Sequence, residues 1–151
     1  MNLTFSLIKP SAMNHCEEIL MAIKTGGFSI LAMKSQNLTL SQVKKFYKEH
    51  AERSFFEPMC ERLTLGPVLL MALYEQNGKD TPLQFRALLG ATNPKDAAPG
   101  TLRKRFGIDL DFNAIHGSDS DISAIRELSF FFSGMETGLI LSNSHELELL
   151  Y

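Results

Sequence analysis

The run Asn113-Ala114-Ile115-His116-Gly117-Ser118-Asp119-Ser120 carries the densest chemistry of the chain. It sets a histidine at the end of a short strand candidate, Ala114-Ile115, just before an amphipathic stretch. Ser118 with Asp121 three residues on has the spacing of a capping box, so a helix is expected to start there. Two readings follow. In one, the serines and aspartates only cap a helix. In the other, the free N–H groups and partial positive charge of the helix start receive phosphate. The neutral imidazole beside them is nucleophilic near neutral pH. A serine hydrolase is disfavoured, because Gly117-Ser118-Asp119 is no Gly-x-Ser-x-Gly elbow. Arg86, Arg103 (with Thr92 nearby) and Lys9 are each ordinary surface cations when taken alone; together they could converge on a polyanion. There is no Gly-x-x-x-x-Gly-Lys-Ser/Thr loop and no kinase glycine-rich loop, so any nucleotide would be handled without those devices.

The elements that must position these groups can be read in order. Leu3 to Leu7 alternates apolar and polar, as a half-buried strand does, and Pro10 stops it. Ser11 can cap a helix carrying Ile19, Leu20 and Ile23, which Gly26-Gly27 ends. Phe28 to Leu38 is rich in strand formers. Thr39 or Ser41 then caps a helix with Val43, Phe46 and Tyr47 at i, i+3, i+4. The helix breaks around Ser54–Pro58, and Met59 to Leu65 is helical again. After the Gly66-Pro67 turn, Val68 to Tyr74 is an apolar run of strand length, expected to be buried on both faces. Gln76-Asn77-Gly78 is a turn, and Leu83 to Leu89 is a helix closing at Gly90. Residues 90–113, punctuated by proline and glycine, form a long irregular segment of the kind that is usually functional or disordered. Ile122, Ile125, Leu128 and Phe132 give the last helical stripe, and residues 133–151 form a tail of little periodicity. The order β-α-β-α-β-α-β-α predicts two split β-α-β halves. These would make a ferredoxin-like α/β sandwich, a four-stranded antiparallel sheet with helices packed over one face. The pattern leaves the strand order open.

Composition narrows the function. The chain of 151 residues is 44% hydrophobic and 21% charged, ordinary for a single globular domain spanning 1–151. A net charge of −2 lacks the electrostatic footprint of a general nucleic-acid or anionic-membrane binder. The longest apolar run, Val68 to Tyr74, falls far short of the ~20 residues that span a bilayer. Two cysteines, Cys16 and Cys60, make neither a disulfide framework nor a zinc-finger spacing. With no signal peptide legible, a cytoplasmic protein is expected.

Several dispersed blocks together resemble the nucleoside diphosphate kinases. They are Phe5-Ser6-Leu7-Ile8-Lys9-Pro10, Phe46-Tyr47, Phe55-Phe56, Gly66-Pro67, Leu89 to Pro94, Pro99 to Arg103, and the run Asn113 to Ser120. The resemblance covers residues 3–132. It implies γ-phosphoryl transfer from a nucleoside triphosphate, usually ATP, to a nucleoside diphosphate by a ping-pong route through a phosphohistidine. By the same resemblance His116 is the nucleophile, Glu127 holds its other ring nitrogen, Ser118 organises the pair, and Tyr47 stands beside the ring. Lys9, Arg86, Thr92, Arg103 and Asn113 correspond to residues that hold phosphate, with Lys9 and Asn113 also touching the sugar. Phe55 and Leu110 correspond to the apolar pair that sandwiches the base; without the surrounding match they would read as core. Mg²⁺ is implied as a cofactor held mainly by nucleotide phosphates and water, with no metal-ligating residues of the protein.

A homo-oligomer, tetramer or hexamer, is implied, with the 133–151 tail available for subunit contacts. The chain departs from the family pattern at Ser54, at the Gln76-Asn77-Gly78 turn, at Arg105 and in the tail. The competing reading is a non-catalytic ferredoxin-like module that binds nucleotides or RNA. The acidic balance and the lack of an aromatic, basic sheet motif argue against RNA.

Overall fold

The computed structural model describes residues 1–149, with side chains through residue 143. Four strands, β1 (Leu3–Ile8), β2 (Ser29–Gln36), β3 (Val68–Tyr74) and β4 (Ile115–Gly117), form one sheet in the order β2-β3-β1-β4. Every neighbouring pair is antiparallel. The fold is the ferredoxin-like sandwich expected from the element order, with β3 inserted between β1 and β2. Seven α-helices are described: α1 (Cys16–Thr25), α2 (Leu40–Phe46), α3 (Phe56–Arg62), α4 (Thr81–Leu89), α5 (Leu102–Phe106), α6 (Asp121–Phe131) and α7 (Gly134–Leu149).

Helices cover both faces of the sheet, not one. The central strands β1 and β3 are buried at every residue, so each must meet apolar partners on two sides. Leu3, Phe5 and Leu7, with Val68, Leu70, Ala72 and Tyr74, pack with Val43, Phe46 and Leu128. Ile8, Leu69, Met71 and Leu73 pack on the other side with Ile19, Ile23, Phe85 and Leu89. Period-two alternation sorts the two sets, and the pairing register carries it to β4. His116 lies opposite Leu7, and Ile115 opposite Ile8. His116 therefore emerges on the face covered by α2 and α6.

Local sequence explains most boundaries. Thr39, not Ser41, caps α2, in a full capping box with Gln42. Helix α3 begins at Phe56, earlier than expected, with Pro58 inside its first turn. A missing N–H costs nothing there, because first-turn amides have no intrahelical partner. Glu75 organises the Gln76-Asn77-Gly78 turn, its carboxylate accepting from the Asn77 amide, the Asn77 side chain and the Gly78 amide.

For α6 the expected start is corrected, and so is the first half of its expected stripe, while Leu128 and Phe132 are buried as expected. Ser120 caps α6 by accepting from the Ser123 amide; Ser118 does not. The buried face is Ala124, Glu127, Leu128 and Phe131, while Ile122 and Ile125 are exposed. The 133–151 tail is helical through residue 149, its last two residues lying outside the described residues. Tertiary contact makes up for its weak periodicity. Ile140 is buried, Lys34 of β2 donates to Glu136 at 3.0 Å, and the Glu136 carboxylate accepts from the Ser133 amide. The Ser133 amide first, then Lys34, lower the Glu136 pKa to about 2. Among the described residues no helix is long and apolar enough to cross a membrane.

Gly117, next to His116, is packed from the α4 side. A Cβ there would stand 2.9 Å from Leu89 Cδ1 and from Phe85 Cδ1, both in fully buried side chains. Gly117→Ala is expected to destabilise the fold by about 1–3 kcal/mol through overpacking, read as a lower denaturation midpoint at unchanged m-value.

Candidate active site

His116 is held from three sides by rings. Phe5, Phe46 and Tyr47 lie with ring centroids 6.0, 5.4 and 6.0 Å from the imidazole. Its carbonyl accepts from Ser6 Oγ at 2.8 Å, which ties β4 to β1. Its Nε2 lies 3.1 Å from Glu127 Oε2. A carboxylate oxygen accepts, so Nε2 carries the ring proton and Nδ1 is left with a free lone pair. Ser118 Oγ donates to the same Glu127 oxygen at 2.5 Å. Ser118 thus serves the carboxylate, not the ring, which removes any serine–histidine pairing. Glu127 Oε1 lies 3.7 Å from Arg126 Nη2; Arg126 also donates to Phe46 O at 3.1 Å and Glu49 Oε1 at 2.9 Å. The buried glutamate interrupts the apolar stripe of α6 because these partners satisfy it.

Beside the histidine opens a cleft of about 510 Å³. Lys9, Tyr47, Phe55, Arg86, Thr92, Arg103, Leu110, Asn113, His116 and Glu127 all line it. These are the sequence-derived candidates except Ser118, which is buried behind Glu127. Phe55 and Leu110 are about half exposed, at 49% and 56%, so core packing does not explain them. Burial raises the Tyr47 pKa first, with Glu127 adding to it, so its hydroxyl stays protonated and able to donate.

The cations are unequal. Lys9 Nζ donates to Asn113 Oδ1 at 2.6 Å, and Asn113 Nδ2 donates to Thr92 O at 3.1 Å. Burial, then Arg103 and Arg62, lower the Lys9 pKa to about 8. Arg103 is buried and partly structural. Its Nε and Nη2 donate to Ile115 O, and its Nη1 to Gly90 O, at 3.0–3.3 Å. Burial and then Arg86 lower its pKa to about 10, which leaves it charged at neutral pH. Arg86 Nη1 donates to Gly117 O at 3.2 Å and keeps its other donors for the cleft.

Ala114 carries φ 76, and the Ile115 amide bonds Asn113 O across it at 3.0 Å. This is a γ-turn with positive φ, a form whose strain is of order 1–3 kcal/mol. The Lys9 amide donates to Ala114 O at 2.9 Å and helps to hold it. Asp119, also on the cleft, is engaged by Ser123 and Ser120, which lower its pKa against the opposing effect of burial. Glu49, Arg62, Asp111 and Arg126, which line or brace the cleft, carry no signal in the sequence. Their partners are distant in sequence, and no periodicity marks them.

A histidine with one nitrogen pinned and one free, facing cations in an open cleft, is an arrangement able to present a nucleophilic ring to an anion. A profile of the nucleoside diphosphate kinases matches residues 2–137. The nucleoside diphosphate kinase of Desulfovibrio desulfuricans is 43% identical over 138 residues, 90% of this chain and 97% of the relative. That of Jannaschia sp. is 43% identical over 135 residues, covering 88% and 94%. The Aquifex aeolicus nucleoside diphosphate kinase structure superposes with TM-score 0.84 at 37% identity, covering 89% of this chain and 97% of that one. A halophilic nucleoside diphosphate kinase from Halobacterium salinarum, solved in complex with CDP, gives TM-score 0.83 at 31% identity, covering 90% and 91%. The chain belongs to the nucleoside diphosphate kinase family, a family of phosphotransferases.

The ring geometry predicts the tautomer. Long-range ¹H–¹⁵N NMR is expected to show His116 protonated at Nε2 and pyridine-like at Nδ1 in the neutral form. Glu127→Ala is expected to mix the two tautomers.

Proposed function

We propose that the protein moves the γ-phosphoryl group of a nucleoside triphosphate, with ATP as the usual donor, to nucleoside diphosphates through a phosphohistidine on His116. Its role would be to maintain the triphosphate pools. The observation that carries this reading is the Nε2 contact to Glu127, because it leaves Nδ1 as the nucleophile in a cationic cleft.

The Nδ1 lone pair attacks the γ-phosphorus, the bond from phosphorus to the bridging oxygen breaks, and the nucleoside diphosphate departs with those electrons. A second nucleoside diphosphate reverses the step and takes the phosphoryl group. Positive charge develops on the ring during attack, and Glu127, steadied by Ser118, stabilises it through Nε2–H. Arg86 and the remaining donors of Arg103 face the oxygens over which negative charge spreads. Lys9 and Asn113 act as a unit, joined by their own hydrogen bond, toward phosphate and sugar. Tyr47 can donate from beside the ring. Phe55 and Leu110 would hold the base by its faces, which every base possesses, so broad base tolerance follows.

The cleft carboxylates Glu49, Asp111, Asp119 and Glu127 are all already engaged, by Arg126, by Arg62, by two serines, and by His116 with Ser118. That donor set fits Mg²⁺ entering with the nucleotide phosphates and water. When bound, the ion would supply neutralisation of phosphate charge. Assembly as a homo-oligomer belongs to the same reading.

Incubation with [γ-³²P]ATP is expected to label the protein in an acid-labile, base-stable form. His116→Gln should lose the label, with turnover down on the order of 10⁴-fold or more, while ADP still binds. An acid-stable label would point to a serine ester and overturn the assignment.

Lys9 gives the expected pH dependence. Bound phosphate raises its pKa above the free value of about 8. Nucleotide affinity should therefore be complete below pH 8 and fall as pH rises through and above it. Calorimetric titration from pH 7 to about 9.5 checks this, and Lys9→Gln should flatten the profile.

A further inference from the structure

The two walls proposed to hold the base come from separate elements. Phe55 caps α3 and Met59 lies within it, whereas Leu110 belongs to the loop between α5 and β4. That loop is closed on itself. Asp109 Oδ1 accepts from the Asp111 and Phe112 amides at 2.9 Å each, and the Ile108 amide bonds Phe112 O at 2.9 Å. These bonds fix the shape of the loop itself, so contacts between the loop and α3 set the distance between the two. Arg62, the last residue of α3, meets Asp111, the neighbour of Leu110, with Nη2 to Oδ2 at 3.0 Å. The guanidinium also lies 5.6 Å from the centroid of the Phe112 ring. Both residues of the pair line the main cleft and a smaller cavity of about 230 Å³ beside it, so the pair stands between the two spaces.

We propose that the Arg62–Asp111 ion pair is a strap that sets the width of the base slot and thereby positions the nucleotide. It rests on the reading that this cleft binds nucleotides and adds residues to which that reading gives no role. Arg62 is a positioning residue here. Its side chain is about a quarter exposed, while that of Asp111 is about half exposed, so the strap is a modest device sensitive to salt.

Charge and strap make opposite predictions for Asp111. Removing a carboxylate from a cationic cleft tightens the binding of an anion if charge alone matters. If the pair holds the walls, the same change loosens the slot. Titration calorimetry of the full chain with ADP, at low salt, should show Asp111→Asn binding about threefold more weakly than wild type. Arg62→Gln should weaken binding as well. The reversed pair, Arg62→Asp with Asp111→Arg, should recover most of the loss. Pyrophosphate, which has no base to clamp, should instead follow charge and bind Asp111→Asn no more weakly than wild type. The Asp111→Asn deficit for ADP should shrink toward none at ~1 M salt, where screening is nearly complete. Tighter or unchanged ADP binding by Asp111→Asn overturns the strap, as does an equal loss for pyrophosphate. Wild-type protein that binds no ADP overturns the nucleotide reading and the strap together; bound ADP with unshifted variants overturns the strap alone.

Discussion

A buried carboxylate is costly unless every lone pair is answered, and Glu127 is the place where this chain meets that cost. Its Oε2 accepts from Ser118 and from the His116 ring, and its Oε1 lies near Arg126. These contacts join β4, the turn that follows it, and α6. Through Arg126 they extend to the carbonyl of Phe46, the last residue of α2, and to Glu49 in the turn just beyond it. The same contacts decide which nitrogen of the ring bears the proton. A structural requirement, satisfaction of a buried anion, thus coincides with a chemical one, a ring poised at one defined atom.

The sheet makes this arrangement reproducible. Strands β1 and β3 are buried on both faces, so a one-residue slip would turn every core side chain the wrong way. With His116 registered opposite Leu7, the imidazole is carried to the α2–α6 face, among Phe5, Phe46 and Tyr47. The strained turn at Ala114 brings Asn113 to Lys9, and the Lys9 amide holds the carbonyl of that turn. Strain of this kind persists only where surrounding bonds over-determine it.

The cations around the ring are also kept under constraint. Lys9 is partly desolvated and stands near two arginines, which weakens its hold on a proton. Arg103 spends three hydrogen bonds on backbone carbonyls, so it supports the cleft walls as well as facing the cleft. On the proposed reading, an arriving polyanion relieves this mutual repulsion, and affinity draws on energy stored by folding.

Much of this was legible from the residues alone. The apolar run Val68 to Tyr74 and the Gly90 stop are local signals that agreed with the final fold. The alternation in Leu3 to Leu7 marked a strand but not its burial. Thr4 and Ser6 are buried too, because helices cover both faces, so the half-buried expectation is corrected. The His116 run and the dispersed blocks with it marked residues that the structure brings to one cleft. Other features had no local signature. The stripe of Ile122 and Ile125 looked apolar, yet the face carrying Glu127 is the buried one, because partners from β4 and its turn answer that charge. The 134–149 helix lacked a periodic face and is anchored by Lys34 and by Ile140. The sequence by itself determined the four strands, most of the helices, the candidate residues and the family, since each depends on residue types within a few positions of one another or on their order; α5, inside the 90–113 segment expected to be irregular, and α7 were not among them. Only the tertiary structure decided the strand order, the second helical layer, the role of Ser118 and the pairing of Arg62 with Asp111. Those depend on which distant groups meet, and that is settled by burying apolar faces together and leaving no buried polar group unanswered.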